Sequence, residues 1–324
     1  MAESLVRRAT PMNNVSPIGT ASTLCTLDGY ASALARSGRR VLPGLPGTFW
    51  VRYESYAMMR VPTFALTPPS RDELHDTLRH SRSAVASYLL EPDESHPANA
   101  CLYICNNRSY CLENLSVAGR RDARRAGRSL RIEFVDWPTV MAHGFTAFSE
   151  TRTRVGLSDG TVEQFQNRFH QFSLNPFHCA VGAWQDDSLV AFMTLVVVDD
   201  WVEIEGSFSA DNSRTSCPND GLAHFVLTHF LIKRSFNTVS YGLSSIQDAQ
   251  QAIGLHSYKK KVGFDAKPVH RAFVLHPLLR PFSNPLMLRG ARMVTKMLPQ
   301  NRVIKKASGM LMTLLENSPT SLIT

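Results

Sequence analysis

Two acids stand two residues apart, Glu203 and Glu205, in the alternating run Trp201–Phe208. In an extended chain such residues share a face. Paired there, they can take a proton from an attacking group; the alternative is a solvated strand face. Ser207 and Ser209 continue on the side of Glu205 and can bind substrate or cap the strand end. Downstream, Leu255-His256-Ser257-Tyr258-Lys259-Lys260-Lys261-Val262-Gly263-Phe264 brings an imidazole, a phenol and three ammonium groups together. Each helical residue is turned about 100° from the last, so the three lysines cannot all face one way. His256 follows Gly254, which signals entry into a cleft, whereas His224 and His229 read as core or interface histidines. Upstream, six arginines from 120 to 131 face a single acid, Asp122. Arg121, Arg124, Arg125 and Arg128 recur at steps of three and four and share one broad helical face. Such a face attracts phosphate, or is simply solvated.

The elements that must position these groups follow from periodicity. Residues 1–46 read as a loose arm, rich in small residues and proline. Phe49–Tyr53 alternates as a strand, and Ser70-Arg71-Asp72-Glu73 opens a helix as a capping box. Ala100–Cys105 and Tyr110–Leu112 read as a hairpin. Leu115–Ser129 is the arginine-rich helix, Leu130–Val135 a strand, and Pro138–Thr153 and Val162–Phe172 helices. His178–Trp184, Leu189–Val198 and Trp201–Phe208 form an antiparallel meander. The polar loop Ser209–Asp220 leads to a helix beginning near Leu222. Strand Thr238–Tyr241, helix Ala249–Val262 and strand Val269–Leu275 complete an α+β order with a partly parallel sheet.

Composition narrows the functional classes. Hydrophobic residues make up 44% of 324 and charged residues 19%, a globular balance without a membrane-spanning run. Arg7 and Arg8 have no apolar segment behind them, so no secretory signal is expected. The net charge of +8 leans toward anionic partners. Six cysteines show no metal-binding spacing, so reduced thiols and no metal are expected. Residues 116–131 contain no aromatic for base stacking, which argues against a nucleic-acid-binding protein driven by this segment.

The run 255–264 resembles a signature near the end of Fem-type transferases of the GNAT superfamily: an aromatic, a lysine, two residues, then a hydrophobic-glycine pair. Leu115-Ser116 with the basic helix after it is similar to a stretch preceding it in those proteins. The resemblance spans about residues 47–280. It implies a GNAT-like mixed sheet flanked by helices, in two GNAT-like halves (47–170 and 171–280) with a central cleft. A basic amphipathic tail, 281–324, follows, expected to pack on its own domain, or else to meet a membrane surface or a partner groove.

The function it implies is transfer of an acyl or aminoacyl group from a phosphate-bearing donor, acyl-CoA or aminoacyl-tRNA, to an amine. Glu205, nearer the strand end that opens on the cleft, is then the base, with Glu203 beside it, and Tyr258 the acid. Lys259 contacts donor phosphate together with Arg121, Arg124, Arg125 and Arg128. The acceptor is an amine-bearing small molecule or a cell-envelope precursor. tRNA is a further partner, and the setting is cytoplasmic or peripheral to a membrane. The sequence departs from ordinary GNAT enzymes at residues 211–221, where a Gln/Arg-x-x-Gly-x-Gly/Ala pyrophosphate loop belongs and Cys217 and Pro218 stand instead. That departure keeps a catalytically silent GNAT-like subunit as the alternative.

Overall fold

The structure is a computed structural model that describes residues 26–53, 56–244, 249–282, 284–297 and 308–310. The first 25 residues of the expected arm, and most of the tail beyond 297, lie outside it. Within the arm, Leu27–Arg36 forms helix α1 and Val41–Pro43 strand β1, so this part is ordered rather than loose. Thr26 caps α1 by accepting from the Gly29 amide. Gly38, just past its end, has φ +82, a left-handed turn that costs little only without a Cβ.

Among the described residues, eleven strands form one mixed sheet in the order β1-β2-β3-β4-β11-β5-β10-β9-β8-β7-β6. The first half supplies β2 (Phe49–Tyr53), β3 (Ala57–Val61), β4 (Val85–Leu90), β5 (Ala100–Cys105) and β6 (Arg131–Val135). Helix α2 (Arg71–Ser81) starts where the Ser70 hydroxyl accepts from the Glu73 amide, as the sequence predicts. The expected hairpin after β5 does not form. Residues 112–114 make a 3-10 turn, and β5 pairs with β10 and β11, far away in sequence. A short alternating run names a strand, but its partners are chosen by the whole sheet.

The arginine-rich helix is α3 (Val117–Ser129). The expected long helix after Pro138 is two, α4 (Trp137–His143) and α5 (Phe145–Arg154), which meet at Gly144. Helix α6 (Val162–Ser173) then leads to β7 (His178–Gln185), β8 (Ser188–Val198) and β9 (Trp201–Ser209), the expected meander. Helix α7 (Pro218–Leu227) passes into a wider π-type turn at Thr228–Lys233. Strand β10 (Thr238–Leu243), helix α8 (Ala249–Lys261), β11 (Asp265–Leu275) and helix α9 (Pro285–Met297) complete the order.

Alternate residues of β7 and β8 feed opposite faces. Val181, Ala183, Ala191, Met193 and Leu195 join Leu222, Val226 and Phe230 under α3 and α7. Ala180 and Phe192 join Phe148, Phe165, Phe169 and Phe208 beneath α4–α6. Burial on both faces is why β8 reads as a continuous apolar run. At roughly 1.5–3 kcal/mol for each large apolar side chain removed from water, these two layers anchor β9 between them.

Candidate functional site

The geometry of the site begins with a defect in β9. Its rungs with β8 run Val196↔Glu203, Leu195↔Ile204, then Thr194↔Gly206, so Glu205 has no partner and forms a one-residue bulge. The bulge slips the face alternation. Glu203 stays on the face of Val196, while Ser207 and Ser209 lie on the face of Met193 and Ala191. The two serines therefore do not follow the acids on one side, contrary to expectation. Strict period two fails wherever an extra residue is inserted.

A second break lies on the other side of β9. Its parallel pairing with β10 covers only Thr238↔Trp201, Val239↔Val202 and Ser240↔Glu203. Past Glu203 the two strands share no rung, so the acid stands at the vertex of a V. The Thr63 hydroxyl donates to Glu203 Oε1 at 3.0 Å. Burial, and then the neighbouring Glu205 charge, push the Glu203 carboxyl up to about 7.

Lys259 comes to the same vertex from α8. It is only 4% exposed, its Nζ donates to the Tyr241 carbonyl at 2.6 Å, and it lies 4.2 Å from the Tyr103 ring centre and 4.8 Å from that of Tyr241. Burial draws this ammonium down to about 7, opposed by the charge of Glu203. A buried lysine and a half-buried glutamate, each drawn toward neutrality, thus face one another at the vertex.

Glu205 is tuned the other way. Its Oε2 accepts from His178 Nε2 at 3.1 Å, a tautomer assigned from this partner. Burial pushes the carboxyl up, but the His178 bond and the charges of His178, Arg39 and Arg168 outweigh it and hold the group below the ordinary glutamate value. His178 is itself enclosed: its ring stacks on Phe172 at 4.6 Å and packs edge-on to Tyr30, and its Nδ1 is buried without a hydrogen bond. The Tyr30 phenol is raised by burial and by both carboxylates.

Arg39 and Arg168 also line a cavity of about 760 Å³ together with Arg40, Arg52 and Tyr53. Gly38 turns the chain so that Arg39 and Arg40 leave the end of α1 toward this space. Arg40 Nη2 donates to the His80 carbonyl at 2.9 Å, and Arg52 to that of Ser81. Arg168 lies within 6 Å of the ring centres of Phe148, Phe169, Phe172 and Phe208. Guanidinium groups pre-placed in this way suit the oxygens of a phosphate or carboxylate.

The remaining expected residues divide between this place and others. Tyr258 donates to the Asn219 carbonyl at 3.0 Å on the α7 side of the parted strands, its phenol raised well above the usual value by burial. Ser207 bonds Asn219 Oδ1 at 3.1 Å beside it. Ser209 is 3% exposed, and its hydroxyl meets Arg154 at 3.1 Å and Asn219 at 3.2 Å, a structural brace. His256 Nδ1 lies 2.9 Å from the Tyr103 hydroxyl, one ring away from Lys259. Its imidazole is lowered by burial and by Lys260. His224 pairs with the Tyr110 hydroxyl at 3.1 Å, and His229 lies edge-on to the Phe134 ring at 4.8 Å, both as expected of packed histidines.

Arg121, Arg124, Arg125 and Arg128 are exposed on α3, whose buried face of Gly119, Asp122, Ala123 and Ala126 packs inward. Arg121 bonds Asp122 at 2.9 Å, Arg124 reaches Glu113 at 3.5 Å and Arg125 the Thr215 carbonyl at 3.3 Å. None of the four lines the arginine-walled cavity. The residues that do, with His178 and Thr63, carry no local signal. They are scattered along the chain, after α1 (Arg39, Arg40), on β2 (Arg52, Tyr53), after β3 (Thr63), on α6 (Arg168) and on β7 (His178), and only the fold assembles them. At 211–221 a 3-10 turn (Asp211–Ser216) is followed by Cys217 in a left-handed conformation and by Pro218, which has no amide hydrogen to offer an anion. No group of metal-binding side chains occurs among the described residues.

No family model matches the chain, and no curated protein does. Solved structures do. FemX matches with a TM-score of 0.53 at 11% identity, over 80% of this chain and 94% of its own. L-PGS from Bacillus licheniformis gives 0.48 at 11% identity, over 78% and 93%. A GCN5-related N-acetyltransferase from Kribbella flavida gives 0.42 at 11% identity, over 76% and 94%. The fold is therefore similar to that of FemX, an open mixed sheet flanked by helices.

Proposed function

We propose that the chain transfers an acyl or aminoacyl group from a phosphate-bearing donor to an amine, at the vertex where β9 and β10 part. The observation that carries this reading is the placement of Glu203 at that vertex with Lys259 and Glu205 as charge neighbours. A base must take a proton from the acceptor ammonium before the amine can attack. Glu203, at about 7, is matched to that task near neutral pH, whereas Glu205 is held low and hydrogen-bonded to His178. The base role expected of Glu205 thus passes to Glu203, and Glu205 with His178 positions the ammonium. The amine then forms a C–N bond to the donor carbonyl, and the bond to the leaving sulfur or oxygen breaks. Tyr258, oriented by the Asn219 carbonyl, gives a proton to the leaving group and is restored by the second proton that the nitrogen sheds as the amide forms. Lys259 stabilises negative charge on the donor.

The arginine-walled cavity beside Glu205 is the subsite for an anionic group of the acceptor, which is an amine-bearing small molecule or an envelope precursor. With no amide cradle at 211–221, the donor is held by side-chain cations. The α3 arginines belong to this reading only as a long-range field that draws in acyl-CoA or charged tRNA. FemX and the acetyltransferase share the fold, which supports a transferase without choosing the donor.

A mass-spectrometric screen of acyl-CoAs and charged tRNAs against pooled amines tests the proposal. One donor class is expected to give an N-acylated product with wild type and none with Glu203→Gln. Absence of product from a folded wild-type protein with every donor would favour the silent subunit instead.

A further inference from the structure

Helix α9 carries an apolar stripe that the described residues leave exposed. Leu286 is 75% exposed, Met293 65% and Met297 69%, and with Gly290 they recur at steps of four, three and four on one helical face. Leu278, 76% exposed, precedes the stripe in the 3-10 turn at Pro277–Phe282. The expectation that the tail packs on its own domain fails at these positions. Arg289 is exposed beside the stripe, and Arg292 and Lys296 follow it at steps of three and four in sequence. From residue 276 to residue 315 the chain has seven lysines and arginines and no aspartate or glutamate.

We propose that α9 lies on an anionic lipid surface, its Leu/Met stripe inserted at the headgroup boundary and its cations against lipid phosphates. The charge pattern selects this occupant. A protein groove or a second copy of the chain would cover the stripe without needing forty residues free of acids, whereas an anionic bilayer repels every acid and attracts every cation. The helix is 13 residues long, too short to span, and no described helix is long and apolar enough to cross a membrane.

Co-sedimentation of the full chain with vesicles of phosphatidylcholine alone, and of phosphatidylcholine mixed equally with phosphatidylglycerol, tests this. Wild type is expected to bind the mixed vesicles, to leave the phosphatidylcholine ones in solution, and to dissociate at high salt. Leu286→Asp/Met293→Asp should weaken binding by about 100-fold, since two large apolar side chains no longer insert. Arg289→Glu, which leaves the stripe intact, should weaken it less and blunt its salt dependence. Melting curves of both variants should match wild type, because the replaced side chains are exposed. Equal binding to the two vesicle types, no binding to either, or undiminished binding by the double variant would overturn the proposal. So would a wild-type dimer that the double variant converts to monomer, which would make the stripe a protein interface.

Discussion

At the scale of single residues, the site sets two glutamates two positions apart in opposite electrostatic states. Glu205 is hydrogen-bonded to His178 and held low, while Glu203 stands half-buried beside it and is raised to about 7. The raised value has a consequence for folding. Between its unfolded value of 4.5 and about 7, the folded protein holds a proton on Glu203 that the unfolded chain releases. Stability from this group is therefore complete at low pH and lost as pH rises through that window. Melting temperatures across the window should fall less steeply in Glu203→Gln than in wild type; parallel curves would show that Glu203 titrates normally. Arg168→Gln should raise KM for an anionic acceptor by about tenfold, one charge-assisted contact, with little change in kcat. An unchanged KM would remove the cavity from the acceptor site. The acids, Tyr258 and Lys259 were legible because each sits in a recognisable run. His178, Thr63, Arg39 and Arg168 were not, because sequence spacing says nothing about which distant residues a sheet brings together.

At the scale of elements, the site depends on close approaches that place α8 and α3. A Cβ on Gly119 would stand 2.3 Å from the Lys261 carbonyl oxygen, a backbone atom that cannot step aside. Beside this contact, Lys261 Nζ joins Asp122 of α3 at 3.1 Å and Asp220 of α7 at 2.5 Å. Gly119→Ala should destabilise by about 1–3 kcal/mol, as overpacking does. It should also slow turnover, because α8 carries both Tyr258 and Lys259. A melting curve and a rate together check this, and an unshifted Tm would mean that α8 yields freely. Arg124→Gln/Arg128→Gln, on the exposed face of the same helix, should leave Tm nearly unchanged, since surface charges contribute about 0–1 kcal/mol. If that face steers the donor, stopped-flow association should slow at low salt and converge with wild type at high salt. Most helices, and the β7–β9 meander, were readable from caps and alternation. The bulge at Glu205 was not, and it displaced Ser207 and Ser209 from the expected face.

At the scale of the whole molecule, the mixed sheet and its flanking helices follow from the order of elements, but the pairing of β5 with β10 and β11 does not. Those contacts join residues more than 130 positions apart, where local periodicity carries no information. A shared core of α1, β2 and β3 with Val196, Val198 and Trp201 sets the arginine cavity in the same region as the parted strands. The account centres on Glu203 as the base at that vertex. Its most direct test is the rate of transfer under saturating substrates as a function of pH, in wild type, Glu203→Gln and Glu205→Gln. Wild type should rise through about pH 7 as the Glu203 carboxyl loses its proton, and fall above it as Lys259 loses its charge. Glu205→Gln should be slower yet keep a rising limb, moved to lower pH because one neighbouring negative charge is gone. Glu203→Gln should lose that limb and about 100- to 10,000-fold in rate. A Glu203→Gln protein that keeps the rising limb and near-wild-type rates would contradict the account.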